Sequence, residues 1–532
     1  MADSNREQRR AADRARRRKA VKATAASGAV LATGAGLVVL APPAQAADFT
    51  VTSNADSGAG SLRDALASAN ADTTDLDNIT FGPGVTSITL ATPIDILGPV
   101  TIAGAGVTVS GGDATQIFAI NAPAPGLAGD DVVITGLTLR GGAAGSGGAI
   151  VIDDGEVRLA GLALEDNAST GDGGAIYQAA GSLTIADSTL TDNASVGGGG
   201  GVYTEDGQLV IERSTLTGNT SEGWGGALYT ADGVDSVLIA ASTFSGNQAT
   251  ESGGAVFLYE TESDSLIVDT TISGNIADGD GGGIAFYYYE GADSTLTIER
   301  STISGNTAGE RGGGAFLQLY NGGVDIVNTT ISGNTAGQEG GGIFLYGDDS
   351  AELYLDVRQT TISGNTASTG GGIFLYYGGA SLDGVIIANN IATDGVADLD
   401  AGDSEVDPVA AVQFSLIEAP IGEAVDLNDG GGNLLGVDPI LGPLAANGGL
   451  TQTHALLAGS PAINTGDPAS AGLATDQRST GFARIVAGRI DIGAFEVQVA
   501  VPPGPGPVTP TDPPATPGGA AQPVTATPSF TG

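Results

Sequence analysis

The chain of 532 residues contains no cysteine and a single histidine, methionine and tryptophan. Without thiols there are no disulfide staples, no thiolate nucleophile and no thiolate metal site, so an exported form must rely on burial and hydrogen bonds. The lone histidine, His454, has no second imidazole with which to share a metal, and a structural role is the simpler reading. Cations are as scarce. Nine of the 19 basic residues, including both lysines (Lys19 and Lys22), lie in the first 46 positions with three of the 61 acids, leaving ten arginines against 58 carboxylates and a net charge of −48. Such a polyanion repels nucleic acid and anionic lipid, which excludes both as direct partners. No segment after residue 46 is apolar for long enough to span a membrane. P-loop, nucleophile-elbow and histidine-metal motifs are also missing, so no catalytic residue and no metal ligand is assigned.

The N-terminal segment has the order of a secretory signal. A basic stretch to Lys22 precedes an apolar run from Ala23 to Ala41, then Pro42-Pro43 and the small-x-small site Ala44-Gln45-Ala46. Residues 1–46 are therefore expected to direct export to the cell surface or beyond. Arg17-Arg18 leaves the general and twin-arginine routes both open.

Glycine is abundant, at 87 residues in a chain that is 41% hydrophobic, which points to a fold that reuses tight turns. The phrase Ser-Thr-Leu-Thr-x-Asn recurs as Thr-Ile-Ser-Gly-Asn and sets asparagines at Asn167, Asn193, Asn219, Asn247, Asn275, Asn306, Asn334, Asn365 and Asn390, spaced 25 to 31 residues apart. Within each phrase an apolar residue, from Leu139 and Leu164 to Ile362 and Ile387, alternates with threonine or serine, as in a short strand with one buried face. Glycine pairs such as Gly173-Gly174 and Gly225-Gly226 open a second strand, and phrases such as Ser182-Leu183-Thr184-Ile185 form a third. Three strands per repeat without intervening helices must stack in parallel. The predicted fold is all-β, a right-handed single-stranded parallel β-helix of about twelve coils. A short helix from Ser61 to Asn70, N-capped by Ser61, is expected to plug its first coil.

The boundaries follow. Residues 47–120 form the cap and first coils, 121–392 the repeat coils, 393–500 the last coils and cap, and 501–532 a proline-, threonine- and glycine-rich solvated tail without a sorting motif or apolar anchor. The asparagine column is read as a structural turn ladder, each residue in a left-handed corner bonding its counterparts in adjacent coils, in preference to the lining of a groove. An aromatic column (Tyr177, Tyr203, Tyr229, Phe257, Phe316, Phe344, Phe374) breaks near Ala285-Phe286. Tyr287-Tyr288-Tyr289 and Tyr376-Tyr377 are consecutive, so at least one of each cluster faces outward, and these five are the candidates for ligand contact.

Val51-Thr52-Ser53-Asn54-Ala55-Asp56 and Gly60-Ser61-Leu62-Arg63-Asp64-Ala65 resemble the N-terminal domain named for Cys-Ser-Leu-Arg-Glu-Ala. Gly459-Ser460-Pro461-Ala462-Ile463-Asn464-Thr465-Gly466-Asp467, Thr475-Asp476-Gln477-Arg478 and Arg489-Ile490-Asp491-Ile492-Gly493-Ala494-Phe495-Glu496 resemble the choice-of-anchor Q domain. The Gly-Gly-Ala and Ser-Gly-Asn phrases resemble the repeats of polymorphic outer-membrane proteins and other bacterial β-helix adhesins. These resemblances imply an exported surface protein without a shared catalytic assignment.

The function expected is a non-catalytic secreted or cell-surface scaffold binding a polysaccharide or surface protein. The alternative is a carbohydrate-active β-helix, a polysaccharide lyase or glycoside hydrolase. Lyase sites need cations against uronates, which this chain hardly offers, and Arg213 and Arg300, each after a glutamate, read as paired surface charges. Hydrolysis needs two carboxylates at a set gap, whereas Asp153-Asp154 and Asp348-Asp349 diverge as strand or turn neighbours. No cofactor is expected. Asp278-Gly279-Asp280-Gly281 and the acids from Asp394 to Asp407 lack calcium-loop spacing, so any calcium is weakly held.

Overall fold

The computed structural model describes residues 46–71, 75–122, 131–289, 294–347, 353–402, 407–467, 472–486 and 488–498. Residues 1–45 of the expected export signal and the tail 501–532 lie outside the described residues.

From Asp48 to Leu435 the chain winds repeatedly through four parallel sheets. One coil runs through Ser182–Ala186 in sheet 1, Thr189–Thr191 in sheet 2, Ala194–Ser195 in sheet 3 and Val202–Thr204 in sheet 4. Among the described residues the sheets hold, in that order, 15, 14, 10 and 12 strands, every strand but the terminal ones paired with its equivalents one coil before and after. Leu164, Leu190, Leu216, Phe244 and Ile272 are direct partners in sheet 2 and wholly buried. A fully buried side chain of this kind contributes about 2 kcal/mol, so these columns carry the bulk of the stability.

Sheet 3 departs from the three strands per coil expected from the sequence. Its strands are two residues long, too short to show an alternation, and follow directly on the asparagines. The asparagines themselves do not adopt the expected left-handed conformation. That conformation belongs to the preceding residue in all nine cases: Asp166, Asp192, Gly218, Gly246, Gly274, Gly305, Gly333, Gly364 and Asn389. The turn made there aims the next side chain inward, where its carboxamide meets those of the adjacent coils. Asn193 Nδ2 donates to Asn219 Oδ1 at 2.9 Å and to Leu164 O at 3.0 Å, and the Asn193 amide donates to the same Oδ1 at 3.2 Å. Each link repeats to Asn390, which donates to Asp398 Oδ1 at 2.9 Å. A second buried ladder occupies the corner between sheets 1 and 2, where the Ser188 amide donates to Ser214 Oγ and the Ser214 amide to Ser242 Oγ, both at 3.1 Å.

The paired glycines before sheet 4 answer two separate demands. Gly199 has φ +65°, whereas a Cβ on Gly200 would lie 2.3 Å from Gly226 O of the next coil and 2.4 Å from Thr220 O. At Gly246, φ is +63° but nothing lies within 4 Å of the added atom. Gly246→Ala should therefore cost only the left-handed penalty, about 1–2 kcal/mol, and Gly200→Ala about 3 kcal/mol because two backbones must part. Urea midpoints that fall equally for the two variants would refute the inter-coil contact as the reason for Gly200.

The first coil is capped. The helix Leu62–Ala69 buries Leu62, Ala65, Leu66 and Ala69, and Ser61 Oγ caps it by accepting from the Asp64 amide at 3.2 Å. At the other end the chain leaves the coils after Leu435, forms an antiparallel pair from Leu441–Ala445 and Thr453–Leu456, and turns back along the outer face of sheet 2. This clasp buries Leu456, Ala462, Ile492 and Phe495 against the outward residues Ile386, Ala388 and Leu416. Further back it hydrogen-bonds the threonine column: Thr302 Oγ1 donates to Gln452 O and Thr330 Oγ1 to Gln477 Oε1, each at 2.6 Å, and the Ala494 amide donates to Thr361 Oγ1 at 3.0 Å.

Candidate functional site

The outward face of sheet 4 carries a continuous aromatic ladder. Tyr177, Tyr203, Tyr229, Phe257, Tyr287, Phe316, Phe344 and Phe374 follow one another with centroids 5.0 to 5.6 Å apart. The backbone register puts Ala285 opposite Phe257, but the ring of Tyr287 reaches back into the gap, so the ladder closes where the sequence suggested a break. Tyr288 points the other way, is 1% exposed and stacks on Phe286 in the core, which removes it from the contact candidates. Tyr289 belongs to a second file with Tyr259, Tyr320, Tyr346 and Tyr376 along the corner towards sheet 1. Tyr377 meets Tyr376 edge-on at 4.7 Å. Rings stacked in this way spend their faces on each other and offer edges and hydroxyls to a ligand.

Ion pairs link successive coils. Arg311 forks onto Asp280 of the previous coil at 2.9 and 3.0 Å and lies over the Phe316 and Phe344 rings at 5.0 and 5.2 Å. Arg213 spans coils to Asp187 and Arg300 to Asp269, each also meeting its neighbouring glutamate. Asp153 and Asp154 are exposed, and Asp348-Asp349 lies outside the described residues. Asp398 ends the asparagine ladder and accepts from the Ala419 amide, while Asp400 accepts from the Val396 amide. Among the described residues no three acidic or histidine side chains gather in a way that could hold a metal.

The densest charged cluster lies in the clasp. Arg478 bonds Asp476 through Nε and Nη2, both residues are nearly inaccessible, and its guanidinium lies between Phe482 and Phe495 at 4.0 and 3.7 Å. Arg484 is wholly buried, donating to Gln359 Oε1 of the solenoid and to Asp491 O and Gly493 O. Gln477 Nε2 lies within 3.0 Å of Ser301 O and Gln452 O. His454 joins Ser332 Oγ to Gly442 O at 2.8 and 2.7 Å. Asp476, Gln477 and Arg478 stand out in the sequence only through the resemblance, because nothing local to them shows that Gln477 meets Thr302 and Thr330 of sheet 2.

Burial pushes the Glu496 carboxyl up to about 7, although it accepts from the Asp491 and Val486 amides, and raises Asp491 as well. A folded value above the unfolded one means that protonation favours the folded clasp; this stability is full below the unfolded range and lost as pH rises through about 7. His454 is lowered by burial, so its contribution is lost as pH falls below its ordinary range. The clasp should therefore resist proteolysis better at pH 6.5 than at pH 8, and Glu496→Gln should flatten that difference. Equal cleavage rates at the two pH values would count against it.

Residues 226–407 match the family model described as the right handed beta helix region. With the four parallel ladders, this makes the protein a right-handed parallel β-helix. Residues 213–231 match the Chlamydia polymorphic membrane protein repeat, so the coils are similar to those repeats. No curated protein and no solved structure is a significant match to the chain. Among the described residues no helix is long and apolar enough to cross a membrane.

Proposed function

We propose that the protein is a non-catalytic scaffold displayed on or released from the bacterial surface, where its β-helix adheres to a polysaccharide or a surface protein. The likeness of residues 213–231 to a polymorphic membrane protein repeat carries this reading, inside a solenoid whose repeated columns serve its own stacking. The secretory signal of residues 1–46 and the anchor-Q-like signature of the clasp point the same way. Contact is assigned to the outward tyrosines Tyr287, Tyr289, Tyr376 and Tyr377, whose edges and hydroxyls supply hydrogen bonds on a partly apolar strip.

The test is a screen of the purified protein against immobilised neutral and acidic polysaccharides, reading both retention and new reducing or unsaturated chain ends. Retention without new ends is expected; sustained turnover would make the protein a carbohydrate-active enzyme instead. The acidic surface holds calcium only as a diffuse atmosphere. Melting curves in calcium and in chelator should superimpose, and a calcium-dependent rise of several degrees would reveal a specific site.

A further inference from the structure

We propose that a polar groove on the outer face of sheet 2, over the first coils, binds a neutral oligosaccharide through Arg140, Asp113 and Asp166, a site that rests on the scaffold reading and gives it a ligand class. The groove measures about 570 Å³, within the usual range for ligand sites. Two rows of outward side chains floor it. Ser87 pairs with Thr108, and Thr89 with Ser110 and then Arg140, on strands that step by about 4.8 Å along the axis. The clasp's contacts with this face begin at the coil of Thr302, and Ser87 and Thr89 are exposed.

Its charged groups are set differently from those further along the solenoid. Arg213, Arg300 and Arg311 each fork onto an aspartate one coil back, with bonds of 2.7 to 3.1 Å. Arg140 comes no nearer than 3.6 Å to Asp166 of the next coil, and the two side chains are 53% and 60% exposed. That separation is beyond hydrogen-bond length, so guanidinium and carboxylate both keep capacity for a ligand. Gly141, next in the chain, carries no side chain that could fill the space: a Cβ there would lie 2.7 Å from Asp113 Oδ1 of the previous coil. The Asp113 carboxylate therefore rests over bare backbone at the edge of the groove.

A guanidinium with a carboxylate on the coil before it and another on the coil after decides the ligand class. Asp113 and Asp166 repel uronate and sulfated chains, as does the excess of 58 acids over ten arginines beyond residue 46, and Arg140 repels an ammonium group. A floor of serine and threonine hydroxyls offers no apolar pocket for the side chains of a peptide. Sugar hydroxyls both donate and accept, so one ring can take hydrogen bonds from Arg140 and give them to Asp113 or Asp166.

The full chain is titrated calorimetrically with cellohexaose and mannohexaose, with hexagalacturonate as the charged control, and variants are compared by retardation in gels containing neutral glucan or mannan. Saturable heat with a neutral hexasaccharide and none with hexagalacturonate is expected. Arg140→Ala should lower affinity by roughly tenfold or more, the worth of a hydrogen bond to a charged group. Thr108→Tyr, which fills the groove on a strand face that tolerates aromatics, should do the same. Both variants should melt as the wild type does, because Arg140 closes no short ion pair and Thr108 points outward. Thr335→Ala, several coils away, should leave binding unchanged. Heats indifferent to both neutral sugars, or hexagalacturonate bound as tightly, would overturn the proposal. Equal retardation of wild type and both groove variants would remove the site while leaving an adhesive scaffold; chain cleavage by the wild type would instead sink the scaffold reading.

Discussion

Asn275→Ala is expected to unlock the middle of the solenoid and to cost about 4–6 kcal/mol. Asn275 Nδ2 donates to Phe244 O and Asn306 Oδ1, its amide donates to the same Oδ1, and its own Oδ1 accepts from the amide and Nδ2 of Asn247. The alanine takes away the side-chain donor to the Phe244 carbonyl and the acceptor of the Asn247 amide, while Asn306 Oδ1 and Asn247 Nδ2 each keep one bond, and each buried group left unsatisfied costs about 1–3 kcal/mol. Coils contact only their neighbours, so the loss should appear as local opening. Hydrogen exchange should accelerate most at Asn247 and its flanks, and the urea midpoint should fall. Asn167→Ala, at the end of the ladder, should cost less, because Asn167 Oδ1 serves only the Gly142 amide. Equal, small shifts for both would mean that the apolar columns alone set stability.

Asp476→Ala is expected to release the clasp and leave the coils standing. The change removes the counter-charge of Arg478 and the acceptor of the Glu496 amide, and breaking a buried pair from one side costs about 3–5 kcal/mol. Limited proteolysis should then cut within residues 441–497, and the newly bared Ile386 and Leu416 should bind a hydrophobic dye, while the β-sheet circular dichroism stays. Replacing both partners by apolar residues, Asp476→Leu with Arg478→Met, should restore much of the protection, since no charge is left buried alone. A single variant as resistant as wild type would show that the threonine contacts hold the clasp without the ion pair.

The repeat made much of this molecule legible. Leu139 to Ile387 and Asn167 to Asn390 declare a period that only stacked coils satisfy, and the helix after Ser61 follows from its cap and its apolar side. Details that depend on short-range backbone geometry were harder to see. The two-residue strands of sheet 3 carry no pattern, and the left-handed residue proved to be the one before each asparagine, because the carboxamide is needed inside. The Ser188, Ser214 and Ser242 ladder was hidden because a serine before threonine looks like any polar strand residue.

Periodicity in the sequence by itself determined the stacking of coils, since equivalent residues about one coil apart must share a register to bury their apolar members. Tertiary structure alone decided which surfaces remain free. Thr302, Thr330 and Thr361 repeat the chemistry of Thr215, Thr243 and Thr271, yet the first three are buried under the clasp and the others are not. Nothing local to a threonine encodes that difference; it arises because a segment more than a hundred residues downstream folds back, and contacts so distant leave no trace in the period.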